Sequence, residues 1–505
     1  MSNLALNLVV SAARIPGRTA AITGEQTMTY AELDGASARL ATLLEREGIG
    51  VGDRVGVMLP NIAAAPIAYY GIWRMGAIVV PMNPLMQGRE VRFYLSNTGA
   101  KALIGTPAFA GAATQGAASA GAKVWLVDDA ELARLTGDLP EYGEPVVRGA
   151  SDTAVVLHTS GTTGTPKGAE LTHGSLGSNR DVIVRRLLKL TDDDVVPACL
   201  PLFHVFGMTC AMNAAVAAGA GLSLMARFHP AKAIERIRRD RVTVLEAVPT
   251  MYSALLFVAD QFSPEATASL RACVSGGAAL PVAVLNDFEK TFDAVILEGY
   301  GLSETSPATT FNHPDAERRP GSIGTPIEGV QVRLVDENGN EVPAGSPGEI
   351  QVKGPNVMKG YWNLPEATGA SIKDGWFSTG DIAVVDEDGY YWIVDRKKDL
   401  IIRGGYNVYP REIEEMLHEH PAVAQVAVIG IAHDSLGEEV GAAVVLKAGV
   451  AAAAEELRQF VKARVAAYKY PRRIWFVDRL PAGPTGKLLR REVIPPPTEE
   501  AYSAW

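Results

Sequence analysis

The rhythm of the first 320 residues constrains this chain most: short apolar runs alternate there with segments of helical periodicity. The stretch "TMTYAELDGASARLATLLEREG" opens with Thr29 as N-cap and Glu32 three residues on, a capping box that satisfies two orphan backbone donors reciprocally. Leu33, Leu40, Leu43 and Leu44 then form an apolar helical stripe, and Gly48 ends it. "DRVGVML" reads as a buried strand, and "AAAPIAYYGIWRMGAIVVPMNP" as helix, glycine stop and strand. The same beat recurs around "KALIGTP", "VLEAVPT" and "LRACVSGG". Strands alternating with helices predict α/β architecture in doubly wound layers.

Beyond about Pro320 the period changes. "VQVRLVDENGNEVPAGSPGEIQVKG" and "GWFSTGDIAVVDEDGYYWIVDRKKDLI" alternate polar and apolar residues around Asn-Gly and Asp-Gly turns, which predicts antiparallel hairpins. After "IIRGGYNVYP" the order becomes helix, strand, strand, helix, strand: "REIEEMLHEH", "VAQVAVIGI", "GAAVVLK", "AEELRQFVKARV" and "RIWFV". The expected division is a body over 1–396, with a β-rich part over 320–396, and a small α+β domain over 397–505.

Composition narrows the function classes. A chain of 505 residues with 47% hydrophobic and 21% charged residues is globular, and its length allows about three domain-sized units. The net charge of −10 argues against a general nucleic-acid binder, since a phosphate backbone needs a basic face. It leaves nucleotide binding open, because that needs only a local pocket. Cys199, Cys210 and Cys273 form neither a disulfide framework nor a zinc knuckle, so a reducing cytoplasm is the expected compartment. No basic region precedes the apolar start, and a signal peptide is not expected. From Val195 to Ala226 there is no Asp, Glu, Lys or Arg, enough length for a membrane span. Pro197, Pro201, His204, Asn213 and three glycines interrupt it, so it reads instead as buried helix and strand lining an apolar cavity.

The sharpest motif is "TSGTTGTPKG", Thr159 to Gly168, after the apolar strand "TAVVLH". Glycines let backbone N–H groups curl around an anion, hydroxyls add donors, and Lys167 supplies a full charge. The spacing is not that of a Walker A loop, but phosphate binding remains the better reading over a plain surface turn.

Together with "EGYGLSET" (Glu298 to Thr305), "GYW" (Gly360 to Trp362), "STGD" (Ser378 to Asp381), "DRKKDLIIRGGYNVYP" (Asp395 to Pro410) and "PTGK" (Pro484 to Lys487), this loop makes the chain resemble the adenylate-forming acyl- and aryl-CoA synthetases. The motifs occur in that family's order and span essentially the whole chain. The resemblance implies an acid–thiol ligase using ATP, Mg²⁺ and coenzyme A. A carboxylate attacks the ATP α-phosphate to give acyl-AMP and pyrophosphate, and the coenzyme A thiol then displaces AMP.

It also implies roles. Lys167 with Thr159, Ser160, Gly161, Thr162, Thr163 and Gly164 would hold the β- and γ-phosphates. Glu304 would hold Mg²⁺, and Thr305 would meet the α-phosphate. Gly277, Ala278, Glu298, Gly299, Tyr300 and Gly301 would enclose adenine, with Tyr300 as its aromatic face. Asp381 and Arg396 would take the ribose. Lys487 would bridge the carboxylate and the α-phosphate. Lys398 would be the hinge about which the small domain moves, bringing Gly404 and Gly405 to the pantetheine. On their residues alone, Glu304 reads also as a helix N-terminal acid and Lys487 as a solvated lysine, while Tyr300 is more often a core aromatic, Asp381 a turn residue and His204 a structural histidine.

"LPLFHVFG" (Leu200 to Gly207) resembles the family's acyl-pocket segment, with His204 and Phe206 at its mouth and Met208 and Met212 in its walls. With "LEGYGLSETSP" it is most similar to bacterial medium- and long-chain fatty acyl-CoA ligases, so a fatty acid is the expected partner. Aryl acids of the coumarate or benzoate kind come second. A dicarboxylate comes third, should Arg271 pair a second carboxylate rather than serve structure. A carrier-protein-loading adenylating enzyme is the competing class. Expected besides are a monomer or homodimer, no nucleic acid, no membrane span but room for peripheral membrane contact, and acetylation of Lys487 as a control.

Overall fold

The capping box forms as expected: Thr29 N donates to Glu32 Oε2 at 2.7 Å, Glu32 N donates to Thr29 Oγ1 at 3.3 Å, and the helix Tyr30–Arg46 follows. Leu33, Leu40 and Leu44 are fully buried. The computed structural model describes residues 2–159, 166–396, 399–404, 406–433, 435–483 and 488–497.

A seven-stranded sheet runs in the order Gly360–Tyr361, Lys167–Thr172, Thr153–Thr159, Ile78–Pro81, Arg54–Met58, Ala102–Gly105, Lys123–Leu126. From Thr153–Thr159 onward its pairs are parallel; the first two are antiparallel. Its two faces carry separate cores. Val55, Val57, Val79 and Ile104 pack with Leu40, Tyr69 and Trp73 on one side. Ile78, Val80 and Leu103 pack with Val91, Leu95 and Ala113 on the other. A parallel sheet covered on both faces has near-continuous apolar strands, which is why "VGVM", "IVVP" and "ALIG" show no alternation.

A second sheet sets Val244–Ala247, Ala272–Ser275 and Ile296–Gly301 in parallel, then adds Ala308–Phe311 and Thr325–Pro326 antiparallel. The uncharged segment supplies Val195–Ala198 and Gly221–Leu224 to a third, four-stranded sheet, with a π-helix, Phe206–Asn213, and the short helix Ala214–Ala218 between them. It is almost wholly buried, and among the described residues no helix is long and apolar enough to cross a membrane.

The hairpin region is an antiparallel sheet of Gln331–Val335, Gly348–Lys353, Trp376–Val385, Ile372–Lys373 and Tyr391–Arg396. The last part of the chain follows its expected order: Pro410–His418, Val423–His433, Gly437–Leu446, Ala454–Lys462 and Arg473–Phe476. It has its own core of Ile401, Ile413, Leu417, Val428, Val440, Leu457 and Val461.

Candidate functional site

The site forms where three parallel strands end and the C-terminal segment leans against them. The carboxyl ends of parallel strands are where open α/β sheets place ligands, because their backbone groups and following turns splay apart there. Ser275, Gly277, Glu298, Tyr300 and Asp381 line one side of a cavity of about 470 Å³. Arg411, Glu414, Glu415, His418, Ala482, Leu488 and Arg490 line the other. Ala278, Gly299 and Gly301 complete the near wall.

Local sequence dictates this shape. Ile296–Leu297 are buried in the sheet, and the strand then runs into Gly299 and Gly301. A Cβ on Gly301 would lie 1.8 Å from the Pro307 carbonyl oxygen, so only glycine lets the two segments approach. Gly277 sits at φ +79°, a left-handed turn that opens the wall after Ala272–Ser275. Tyr300, between the two glycines, donates its hydroxyl to Asp381 Oδ2 at 2.7 Å. The aromatic residue and the acid read as adenine and ribose partners are thus one hydrogen-bonded pair across 81 residues. The Asp381 backbone pairs in register with Arg396. Glu298 accepts from Gly321 N at 2.8 Å, and burial pushes its carboxyl up to about 7.

The phosphate-loop end is a second cluster. Thr159, the last residue of its strand, donates to Glu304 Oε1 at 3.2 Å, and Tyr361 donates its hydroxyl to the same oxygen at 3.1 Å. Lys167 Nζ stands 5.2 Å from the Tyr361 ring centre, a cation–π contact. Burial and Glu304 push the Tyr361 hydroxyl's pKa upward, so it remains a donor. Among the described residues Glu304 Oε2 accepts no bond, which fits a carboxylate with one oxygen available to a divalent cation. Thr305 is fully buried, and its hydroxyl donates inward to the Pro307 carbonyl at 2.7 Å. Ser160, Gly161, Thr162, Thr163, Gly164, Lys398, Gly405 and Lys487 lie outside the described residues, as does the Arg396 side chain.

His204 sits at the turn before the π-helix, where its Nδ1 accepts from Phe206 N at 3.3 Å. Phe206 covers Gly276, where a Cβ would lie 3.1 Å from the ring. Arg271 is bound by both oxygens of Asp194, at 2.8 and 2.9 Å, and donates to the Leu188 carbonyl. That places it in structure and away from a second substrate carboxylate. Gly404, at φ +57°, is not among the residues lining the cavity.

Sequence reading missed Tyr361 as a site residue, although it lies inside the quoted "GYW", and missed the charged set Arg411, Glu414, Glu415 and Arg490. Arg411 N donates to Asp395 Oδ2 at 3.1 Å and its guanidinium to the Ile393 carbonyl at 2.8 Å, while Arg490 pairs with Glu414 and Asp399. For Arg411, Glu414 and Glu415 the signal was a charged helix after Pro410, which reads equally as a solvated face; Arg490 lies outside it, in the turn Arg490–Glu492.

The AMP-binding enzyme family matches residues 8–362, and the AMP-binding enzyme C-terminal domain matches 412–487. The chain is 36% identical to a long-chain-fatty-acid–CoA ligase of Bacillus subtilis, covering 98% of this chain and 94% of that one. It is 38% identical to a feruloyl-CoA synthase of an Amycolatopsis species, covering 95% and 96%. The crystal structure of ATP-bound MatB from Rhodopseudomonas palustris superposes with a TM-score of 0.92 at 34% identity, covering 97% of both chains. With a cavity of about 470 Å³ at the strand ends and Glu304 held by Thr159 and Tyr361 beside it, the chain belongs to the AMP-binding enzymes and is an AMP-forming acid–thiol ligase, an acyl-CoA synthetase that uses ATP, Mg²⁺ and coenzyme A.

Proposed function

We propose that the chain activates a medium- or long-chain fatty acid as its coenzyme A thioester. Carrying this reading is the joining of two clusters on one ridge, Glu298 to Thr305: Tyr300 with Asp381, and Glu304 with Thr159 and Tyr361. The first suits a nucleoside and the second its phosphates. The fatty-acid assignment is supported by the buried, uncharged segment around Phe206, Met208 and Met212, and by the Bacillus subtilis relative. Aryl acids are the second reading, favoured by the feruloyl-CoA synthase relative.

In the first half-reaction a carboxylate oxygen attacks the α-phosphorus, the bond to the bridging oxygen breaks, and pyrophosphate leaves. Two anions meet in this step, so cations and donors must be positioned before it. Lys167 and the loop Thr159–Gly168 take the β- and γ-phosphates, and Tyr361 and Thr159 hold Glu304 in place. Glu304 would hold Mg²⁺, which supplies charge neutralisation when bound. Thr305, whose hydroxyl points inward here, turns to the α-phosphate when the nucleotide enters. Lys487 bridges carboxylate and α-phosphate; the flanking Ala482 and Leu488 line the same cavity. In the second half-reaction the coenzyme A sulfur attacks the acyl carbon and AMP leaves. Residues 397–505 then turn about Lys398 to bring Gly404 and Gly405 to the thiol. The enzyme works in the cytoplasm.

Lys487→Ala tests this directly. Acyl-AMP formation, read by pyrophosphate exchange, is expected to fall by about 10²–10³, while thioester formation from supplied acyl-AMP persists. Equal loss of both steps overturns the assignment. A coenzyme A-dependent screen of acetate through palmitate, malonate, benzoate and coumarate tests the acid, and an aryl acid as best substrate replaces the fatty-acid reading with the second.

A further inference from the structure

Glu246 lies on the strand Val244–Ala247, which forms one end of the second sheet. Residues of this strand alternate between two cores. Leu245 and Ala247 face one; Val244 and Val248 face the other, with Val274, Phe206, Met208 and Cys210. By the two-residue period of a strand, Glu246 shares the face of Val244 and Val248, toward the π-helix Phe206–Asn213. It is 0% exposed, and neither carboxyl oxygen has a hydrogen-bond partner among the described residues.

An unsatisfied buried carboxyl costs several kcal/mol even when neutral. Burial pushes Glu246 up to about 8, so at neutral pH it keeps its proton and both donates and accepts. The neighbourhood repeats the deficit. The Thr209 hydroxyl, on the π-helix beside Cys210, is also buried without a partner among the described residues. Phe206, on the same π-helix, covers Gly276 at the end of the next strand, while Ser275 beside it lines the cavity from the opposite face of the sheet. A π-helix widens the backbone and recurs at functional sites, and Phe206–Asn213 packs its Phe206, Met208 and Cys210 into the core of Val244 and Val248.

We propose that Glu246 is a specificity-determining residue that hydrogen-bonds a hydroxyl carried on the apolar part of the acid, so the preferred substrate is a hydroxylated carboxylic acid. This rests on the reading that the acyl group lies between the π-helix and the strands Val244–Ala247 and Ala272–Ser275. A hydroxyl both donates and accepts, matching a protonated carboxyl, and removing it leaves the deficit in place. A site built for such a group rejects the analogue lacking it far more strongly than an apolar pocket rejects an added hydroxyl.

Matched pairs test it: octanoate against 8-hydroxyoctanoate, and cinnamate against 4-hydroxycinnamate, each with ATP and coenzyme A. In at least one pair the hydroxylated acid is expected to have a kcat/KM higher by about 10²; which pair does so tells an alkyl from an aryl substrate. Glu246→Gln keeps a donor and an acceptor and should preserve that ratio. Glu246→Leu should bring it to about 1 or invert it, with the bare acid turned over at least as well as by the wild type. A wild-type preference for the bare acid in both pairs overturns the proposal. So does a ratio unchanged in Glu246→Leu, where a fall shared by both acids marks a structural role. If no acid of either pair yields a thioester, the acyl-pocket reading fails with it.

Discussion

At the scale of single residues, the site is held by hydrogen bonds that link distant parts of the chain. Tyr300 gives its hydroxyl to Asp381, so each orients the other. Tyr300→Phe should therefore raise the KM for ATP several-fold while leaving kcat within about twofold, because a positioning bond of about 1 kcal/mol is lost without touching the phosphates. Asp381→Asn should cost more than Tyr300→Phe when ATP saturation is measured. Glu246 sets a pH dependence of stability. Its folded-state pKa near 8 lies above the ordinary 4.5, so between those values the unfolded chain releases a proton that the folded chain keeps. Stability therefore falls as pH rises through that window. The groups in electrostatic contact with it, Cys199, Cys210 and Tyr252, all stay neutral there because burial raises their pKa values. Thermal unfolding of the apo protein between pH 5 and 8 should show a shallower decline for Glu246→Gln than for the wild type. Glu298, raised to about 7, contributes with the same sign in both proteins.

At the scale of elements, periodicity and capping were legible because they are local. The Thr29 capping box needs only residues three apart, and Thr29→Ala should destabilise the body by about 1 kcal/mol in urea unfolding. The parallel strands were legible because both faces are buried and their runs are uniformly apolar. The π-helix Phe206–Asn213 was not. Its residues carry no local signature, and a widened turn is selected by packing against strands from elsewhere in the chain. Arg271 shows the same limit: whether it meets a ligand or a structural acid depended on Asp194, 77 residues away.

At the scale of the whole molecule, the cavity at the strand ends is lined from both parts of the chain, with Tyr300 and Asp381 on one side and Arg411, Glu415 and Arg490 on the other. Arg411 fastens the C-terminal segment through Asp395 and the Ile393 carbonyl. Arg411→Ala removes the guanidinium bond to the Ile393 carbonyl and leaves the backbone bond to Asp395, which should loosen the cavity wall that carries Ala482 and Leu488. Acyl-AMP formation should drop about tenfold in single turnover, with thioester formation from supplied acyl-AMP little changed. Lys398→Pro should show the opposite order, with the second step impaired more than the first, as expected of a hinge that must turn between the two.

The sequence by itself determined the layers, the hairpins, the terminal α+β order and the ordered motifs, because each rests on neighbours in the chain: caps, turns and the periods of helix and strand. Tertiary structure alone decided which motif residues bond one another, that Tyr361 steadies Glu304, that Thr305 points inward, and that the Glu246 carboxyl is buried without a partner among the described residues. Those outcomes depend on burial and on contacts between segments tens to hundreds of residues apart, and no local pattern encodes them.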